Sequence, residues 1–515
     1  MGECVIGIDA GGTMTKAALF DLTGAEKACA RSRNVTYFPT LGWTERDPDA
    51  MWRAAAEAIS TVLQHSGTDP GDVLAISVSG YGSGLYLLDS DNNPTRPGIV
   101  STDGRAAEMV GQWAVDGRAQ ELAMLVNQVP WPGQSAALIA WLQDNEPEVM
   151  AKTQTITFCK DYLRAQLCGD RSTDFTDAGS AALIDVAKGS YSEDMLRLLG
   201  LEQMMPKLPD IGPSDDVAGY VTAEAAALTG LKQGTPVVRG TVDMSASAMA
   251  SMVTRPDQMS MVAGTFSIAA TLHDQAPKMD AVPMLQFAYP LGGWLAVQGS
   301  PTSASNLEWV VKTLLLHDDT LEGMDNIYDT VNAAVARARG QHTNAMFFPY
   351  LFGGPEGAPA GLVGMSARTD LDKTLLAVFE GIVFSHKADL DIALTGKDAA
   401  RPEVIRMTGG ATQSPLWTEM FADILGLPIE VPRGSEFGAL GTAMCAASGV
   451  GAFDTLSDAV TGMGGIARRH DTNAERGAVH LAKYPRYAAL RDAMASAMIA
   501  TQDTAPAPEL EMDHA

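Results

Sequence analysis

The chain has 515 residues, 46% hydrophobic and 19% charged, a composition typical of a globular protein too long for one hydrophobic core. Its net charge of −26 excludes nucleic acid and anionic membrane surfaces as expected partners, because both are polyanions. The five cysteines are scattered and form no Cys-x-x-Cys pair, and the N-terminus shows neither a signal peptide nor a long apolar run. These features predict a cytoplasmic protein of two large domains with no membrane span.

The chain opens with the pattern of a β-hairpin. Apolar residues at 4–8 predict a strand that ends at Asp9, a glycine turn follows at 10–13, and a second apolar run predicts the return strand. A carboxylate beside a glycine turn can hold Mg2+ next to a phosphate chain, with Thr13 adding a hydroxyl and Lys16 a positive charge. An ordinary hairpin with a polar tip has the same local sequence, so the pattern alone leaves both interpretations open.

An amphipathic helix is predicted over 49–65 and a buried strand over 73–79. Beyond the strand, Ser83, Asp103 and Trp131 are candidates for a pocket that binds a polyol. Hydroxyl and carboxylate groups bind sugar hydroxyls, and an aromatic face covers the C–H side of a sugar. Turn chemistry and a core tryptophan explain the same residues and are favoured locally.

Asp243 follows a predicted strand in the sequence Thr-Val-Asp-Met-Ser and precedes a run of small residues. A carboxylate at a strand end can act as a general base that removes a proton from a substrate hydroxyl. Asp is also a favoured helix N-cap, and the local sequence favours that structural role.

The opening pattern recurs in the second half of the chain. Residues 258–262 predict a strand, Gly264 and Thr265 lie in the turn, and 266–272 predict the return strand. Two hairpins with Gly-Thr at the tip indicate an internal duplication and would bind phosphates from both sides of a cleft. The predicted division is an N-terminal domain, a C-terminal domain and a disordered tail rich in Pro, Glu, Asp and Ala, at 1–252, 253–502 and 503–515.

Long helices are predicted over 371–394 and 416–424, with a strand at 404–407 between them. Gly409 and Gly410 follow that strand, and a glycine pair there permits close approach of a nucleotide, although a plain strand-to-helix turn is as well supported locally. The chain contains neither GxGxxG nor GxxxxGK[ST], so its nucleotide chemistry belongs to another type. Strands and helices mix throughout, which predicts an α/β fold.

Together these segments resemble the FGGY carbohydrate kinases, within the actin-like, ribonuclease H-like ATPases. The opening IGIDAGGTMTKAALFD is similar to the family's first phosphate loop, and VAGTFSIAATL to its second. MTGGATQSPLWTEMFADILG resembles the adenosine segment, and FEGIVFSH resembles part of the C-terminal signature. The resemblance implies an α/β fold of two actin-like (ribonuclease H-like) domains with an interdomain cleft.

The resemblance also implies ATP and Mg2+ as cofactors and a small sugar or polyol as substrate. It makes Asp243 the catalytic base and Asp9 the residue that organises the metal. The residues that would contact the ATP phosphates are Thr13, Lys16, Gly264 and Thr265, and those that would contact adenosine are Gly409, Gly410 and Ser414. The residues that would contact the sugar are Ser83, Asp103, Trp131 and Asp243.

Within the family, the segments GSPTSASNLEW, IVSTDGRA and VPWPGQSAALIAWL look closer to the L-xylulose kinase branch. Glycerol kinases carry Arg-Glu, and D-xylulose kinases carry Met-His, where this chain has Gly82-Ser83, so neither glycerol nor D-xylulose is the expected substrate. The expected reaction is ATP-dependent phosphorylation of a terminal hydroxyl of an L-xylulose-type pentulose or related keto-sugar. The alternatives are an erythritol or other polyol kinase, or a catalytically inactive sugar and nucleotide sensor on the same fold. A homodimer is the expected assembly.

Overall fold

The computed structural model describes residues 2–277, 285–315, 324–341, 343–394 and 401–502. The tail predicted at 503–515 lies outside the described residues. Among the described helices, none is both long and apolar enough to cross a membrane.

Two large sheets, one in each half of the chain, form the framework, and short two-stranded ribbons accompany them. The strands are β1 Cys4–Ala10, β2 Met14–Asp21, β3 Glu26–Arg33, β4 Glu45–Arg46, β5 Val73–Gly80, β6 Tyr86–Leu88, β7 Gly98–Ile99, β8 Thr155–Thr157, β9 Thr173–Asp174, β10 Ile184–Asp185, β11 Ser190–Tyr191, β12 Ile211–Gly212, β13 Val217–Tyr220, β14 Pro236–Val242, β15 Gln258–Ala263, β16 Ser267–His273, β17 Leu285–Ala288, β18 Trp294–Ser300, β19 Met346–Phe348, β20 Gly361–Val363, β21 Val404–Thr408, β22 Ile429–Pro432 and β23 Ile466–His470.

Helices cover the sheets and fill the space between them. They are α1 Pro48–Ser66, α2 Ala107–Asp116, α3 Arg118–Val126, α4 Ser135–Asn145, α5 Pro147–Lys152, α6 Cys159–Cys168, α7 Phe175–Ser180, α8 Glu193–Leu198, α9 Ala223–Thr229, α10 Asp243–Ala250, α11 Ala304–Val310, α12 Met324–Ala338, α13 Leu371–Ala393, α14 Pro415–Leu425, α15 Phe437–Gly449, α16 Leu456–Met463, α17 Ala474–Leu481 and α18 Tyr484–Gln502.

The two sheets share one topology. The first has the strand order β13-β14-β5-β1-β2-β3, and the second contains β18-β16-β15-β21-β22-β23 with β17 added at one edge. In each sheet the central strand, β1 or β15, pairs antiparallel with the next strand in the chain and parallel with β5 or β21, respectively. The internal duplication predicted from the two hairpins is therefore present in the strand pairing.

Helix boundaries agree with the sequence pattern where a capping residue is present. The helix predicted over 49–65 is α1, whose N-terminal amides are capped by the Asp47 carboxylate and whose C-cap is Gly67, with φ of +64°. The helix predicted over 371–394 is α13, which is capped by Asp370 in the same way.

Helix α15 belongs to the second half of the sequence but packs against the first sheet. A Cβ atom at Gly7 would lie 1.8 Å from the carbonyl oxygen of Ala439, so only glycine allows this approach. On the other side of the helix, a Cβ atom at Gly441 would lie 1.9 Å from the carbonyl oxygen of Ala246 in α10. One hydrophobic core cluster accordingly contains residues from both halves. This packing fixes the N-terminus of α15 at the C-terminal end of β1.

Candidate active site

The tip of the first hairpin is held through its carbonyl oxygens. Arg46 donates hydrogen bonds to the carbonyls of Gly12 and Gly11, the second at 3.3 Å, and Asn34 Nδ2 donates to Gly11 at 2.8 Å. These carbonyls are occupied by the protein, whereas Thr13 is exposed at the tip. The turn is thus rigid on one side and accessible on the other, as a phosphate-binding loop requires. Sequence reasoning did not find Arg46 or Asn34, because neither stands near the hairpin in the chain.

Asp9 lies at the C-terminal end of β1, as predicted. Ser79 Oγ, on the neighbouring strand, donates to its Oδ1 at 3.4 Å. Burial raises the pKa of Asp9 to about 6, against the opposing effect of the Lys16 charge, and the negative charge of Glu436 raises it further. A bound cation would favour the ionised form of this carboxylate.

Lys16 is paired with a carboxylate that the sequence pattern did not single out. Its Nζ lies 3.0 Å from Glu436 Oε2, and Arg31 Nη2 is paired with Oε1 of the same residue. Glu436 is mostly buried just before α15, and these two cations hold its pKa below the usual range against the effect of burial. The Lys16 side chain is 30% exposed, so its ammonium is accessible to a phosphate while Glu436 fixes its position.

Asp243 is the first residue of α10. The N-cap position is held by Val242, and Asp243 Oδ1 accepts a hydrogen bond from the backbone N–H of Met244 at 2.7 Å. Burial raises the pKa of Asp243 to about 7, and the negative charge of nearby Asp9 raises it further. Asp243 is therefore a carboxylate that titrates near neutrality close to the predicted metal ligand, which is the behaviour required of a general base.

The second hairpin forms one wall of a cleft of about 670 Å3. Ala304 N–H donates to the carbonyl of Gly264 at 2.8 Å, and Ser305 Oγ donates to the carbonyl of Thr265 at 2.8 Å. The carbonyls of this turn are held by the protein, as in the first hairpin. Of the residues predicted to bind nucleotide, the cleft is lined by Gly264, Thr265, Gly410 and Ser414.

The two glycines after β21 have different surroundings. Gly409 has φ of +95°, and a Cβ atom there would lie 2.5 Å from the backbone of Ala263, so this residue joins the second hairpin to the adenosine segment. A Cβ atom at Gly410 would meet nothing within 4 Å. Gly409 is therefore required for packing, whereas Gly410 leaves the cleft open.

Ser414 caps α14 by accepting the N–H of Trp417 at 3.1 Å, and its hydroxyl donates to Asn332 Oδ1 at 2.6 Å. Asn332, Trp417 and Phe379 also line the cleft. Apolar and aromatic walls with a few polar groups are typical of a small-molecule site. The sequence pattern indicated none of these three as a site residue. A tryptophan or phenylalanine in a helix has the same pattern as a core residue, and Asn332 lies far from the adenosine segment in the sequence.

The segments predicted to bind sugar are contiguous. A Cβ atom at Gly82 would lie 2.9 Å from Val242 Cγ2, which places the loop containing Ser83 beside Asp243. A Cβ atom at Gly133 would lie 1.9 Å from the Ser101 carbonyl oxygen, which joins the segment after Trp131 to the loop containing Asp103.

The side chains predicted to bind sugar differ in their burial and in the hydrogen bonds that they already make within the protein. Ser83 is buried with φ of +65°, and its hydroxyl donates to the carbonyl of Ser180 at 3.0 Å. Asp103 is also buried, and its oxygens accept from Thr44 N–H at 2.5 Å and from Arg105 Nε at 2.8 Å. Trp131 is half-buried. Direct contact of these three residues with a sugar stays a prediction.

Two sheets of one topology, each with a Gly-Thr hairpin, and the carboxylates Asp9 and Asp243 close to each other are the arrangement expected of a two-domain phosphotransferase. Residues 4–250 match the N-terminal domain, and residues 259–450 the C-terminal domain, of the FGGY family of carbohydrate kinases. The chain belongs to this family.

Among curated proteins, the chain is 33% identical to the probable L-xylulose kinase of Pasteurella multocida, over 95% of this chain and 98% of that protein. It is 32% identical to the L-xylulose/3-keto-L-gulonate kinase of Escherichia coli, over 89% of this chain and 91% of that protein. The xylulose kinase of Lactobacillus acidophilus has the same fold, with a TM-score of 0.85 and 24% identity over 96% of this chain and 99% of that one.

Proposed function

We propose that the protein transfers the γ-phosphate of ATP to a terminal hydroxyl of a ketopentose of the L-xylulose type. The observation that carries the chemistry is the pair Asp9 and Asp243, two carboxylates that interact electrostatically where the halves of the chain meet. Similarity to L-xylulose kinases over most of the chain supports the substrate class. An erythritol or other polyol kinase is the second candidate, and an inactive sensor on the same fold is the third.

In this mechanism the sugar hydroxyl lies against Asp243. The carboxylate accepts the hydroxyl proton as the oxygen attacks the γ-phosphorus, and the bond from phosphorus to the β,γ-bridging oxygen breaks to release ADP. Lys16 and the backbone N–H groups of the two hairpins stabilise the charge on the phosphate oxygens. Asp243 then holds the proton at its carboxyl oxygen until it passes to solvent.

We assign Mg2+ to the Asp9 carboxylate. The described residues contain no cluster of three or more metal-binding side chains. Mg2+ in phosphotransfer sites keeps several water ligands and is held by one or two carboxylates together with substrate phosphates, so the single half-buried carboxylate of Asp9 fits that role. When bound, Mg2+ would neutralise charge on the phosphates, and the Asp9 carboxylate would hold and orient it.

The domain division at 252/253 and the location and assembly of the protein are part of the same proposal. Two halves, each with one phosphate hairpin, suit a cleft that closes around the substrates. The five cysteines are free thiols, which supports a cytoplasmic location. A homodimer stays a prediction that light scattering tests.

A substrate panel tests the proposed function. ADP release is measured with ATP, Mg2+ and, in turn, L-xylulose, 3-keto-L-gulonate, D-xylulose, erythritol and glycerol. We expect the highest kcat/KM with L-xylulose or the keto-acid. Preference for erythritol would move the assignment to the polyol kinases, and ADP release that no substrate raises above background would favour the sensor.

A further inference from the structure

A second cavity, of about 500 Å3, lies entirely within the C-terminal half of the chain. Its lining shares no described residue with the nucleotide cleft. The end of β18 forms one wall, the loop at 353–355 another, and the facing surfaces of α13 and α18 the rest. The mechanism proposed above makes no use of this cavity.

A buried carboxylate lines the cavity. Asp389 is only 8% exposed, and its Oδ2 accepts hydrogen bonds from Ser267 Oγ at 2.9 Å and Ser300 Oγ at 2.8 Å. Among the described residues, no cation lies within ion-pair distance of it, and Oδ1 accepts no hydrogen bond. Burial raises the pKa of Asp389, against the opposing effects of the two serine hydrogen bonds and of the Arg491 charge. A ligand hydroxyl would supply a donor to Oδ1.

A series of hydrogen bonds, in which each donor can be assigned, connects the Asp389 carboxylate to His386. Burial lowers the pKa of His386 to about 3, so its ring is neutral. Ser267 gives its proton to Asp389 and must therefore accept from His386 Nδ1–H, at 2.9 Å. His386 Nε2 then accepts from Ser303 Oγ, also at 2.9 Å. The Asp389 charge thus orients every proton along this series.

This series of hydrogen bonds ends at the nucleotide cleft. Ser303 directly precedes α11, and the next two residues hold the carbonyls of the second hairpin, Ala304 that of Gly264 and Ser305 that of Thr265. Ser267 itself lies two residues after Thr265 on the same hairpin. A change in hydrogen bonding at Asp389 therefore acts on both sides of the turn predicted to bind the ATP phosphates.

We propose that this cavity is a second binding site, for a small neutral polyhydroxylated molecule, and that its occupancy changes nucleotide affinity through Ser267 and His386. Asp389 Oδ1 accepts from a ligand hydroxyl, and Arg491, whose charge acts on Asp389, donates to a neighbouring oxygen. The cavity lining carries charges of both signs, from Asp389, Asp492 and Arg491, and Arg491 is paired with Asp492, which suits a ligand without net charge. Tyr350 and Ile392 supply surfaces for C–H groups, as carbohydrate sites do.

The test is calorimetric titration of the full chain with xylitol, ribitol and arabinitol. The variants are Asp389→Asn and Arg491→Gln, and Lys387→Gln is the matched control, because Lys387 lies on the same helix and pairs with Asp391 instead. At least one pentitol is expected to bind to the unmodified protein, with about tenfold or greater loss in both cavity variants and no loss in the control. Far-UV circular dichroism checks that each variant is folded. If Asp389→Asn misfolds, Arg491→Gln decides alone, because its side chain is 23% exposed and its ion pair is with the exposed Asp492.

Nucleotide binding gives the second readout. The bound pentitol should change the Kd of a non-hydrolysable ATP analogue in the unmodified protein and in Lys387→Gln, and leave it unchanged in the cavity variants. The proposal would be overturned if no pentitol binds, or if a pentitol binds without any effect on nucleotide affinity. It would also be overturned if the unmodified protein and the cavity variants bind the pentitol equally, because that result would place the ligand in the catalytic cleft.

Discussion

Gly438 lies directly against the carboxylate of Asp9, although 429 positions separate the two residues in the chain. A Cβ atom at Gly438 would lie 2.6 Å from Asp9 Oδ2. Ser79 Oγ, which lies 3.4 Å from Asp9 Oδ1, is also 3.3 Å from the carbonyl oxygen of Gly438, so one hydroxyl is shared between the two residues. The predicted metal ligand is thus positioned by the first turn of α15, so the two halves of the chain build the site together.

The first prediction follows from this contact. Gly438→Ala should displace the Asp9 carboxylate and lower kcat by at least about tenfold, since small errors in positioning are costly in phosphoryl transfer. The apparent affinity for Mg2+, measured from the metal dependence of the rate, should fall as well. Gly2→Ala is the control, because nothing lies within 4 Å of that position. Unchanged Mg2+ dependence in Gly438→Ala would contradict the assignment of Asp9.

The second prediction separates the two glycines of the adenosine segment. Gly409→Ala should lower the melting temperature, because φ is +95° and the new methyl group would overlap the backbone of Ala263. Gly410→Ala should keep the melting temperature and raise the KM for ATP, because its methyl group enters open space in the nucleotide cleft. Thermal unfolding and steady-state kinetics measure the two effects. Loss of stability in Gly410→Ala, with an unchanged KM, would place the nucleotide elsewhere.

The third prediction concerns the ion pair between Lys16 and Glu436. Glu436→Gln should raise the KM for ATP several-fold more than it lowers kcat, because Lys16 loses the carboxylate that orients it. Arg31→Gln is the matched control, since it removes the other cation on Glu436 and leaves Lys16 paired. An equal effect of both variants would show that the ion-pair cluster is only structural.

The fourth prediction uses the pKa of Asp243. This carboxyl has a pKa of about 7 in the folded protein, against 3.8 for an aspartate exposed to water, so it binds a proton more tightly when the chain is folded. Stability therefore falls as pH rises above about 4, because the unfolded chain releases this proton while the folded protein retains it, and the full cost is reached above pH 7. Asp243→Asn should be more stable than the unmodified protein at pH 8 without Mg2+ and nucleotide, and the difference should vanish near pH 4. Denaturant unfolding at both pH values measures this, and a variant less stable at pH 8 would contradict the buried-carboxylate account.

Sequence patterns predicted the hairpins and the main helices because those features are local. Strand β1, the return strands of the two hairpins and α13 each have a periodicity or a cap within a few residues. The mixture of strands and helices predicted the α/β class, and the two actin-like domains were implied by the family resemblance. The matching strand pairing of the two sheets agrees with the repeat of the Gly-Thr hairpin.

The supporting residues of the site were not predictable in the same way. Glu436 contacts Lys16 and Arg31 from more than 400 positions away, and no local pattern marks such a contact. The sequence suggested Asp103 as a sugar ligand, and its oxygens accept hydrogen bonds from Thr44 and Arg105, so its contact with a sugar stays a prediction. For the contacts of α15 with the first sheet, one signal was present in the sequence. The run of small residues Phe-Gly-Ala-Leu-Gly-Thr-Ala at 437–443 allows a helix to pack closely against its neighbours.

The most direct test of the central claim is a single-turnover measurement of phosphate transfer from ATP to L-xylulose by the unmodified protein and by Asp243→Asn. Enzyme is in excess over radiolabelled ATP, so that the chemical step is observed without product release. We expect the unmodified protein to transfer label to the sugar and Asp243→Asn to do so at a rate at least about 10²-fold lower, with nucleotide binding retained. Equal single-turnover rates in the two proteins would contradict the assignment of Asp243 as the base.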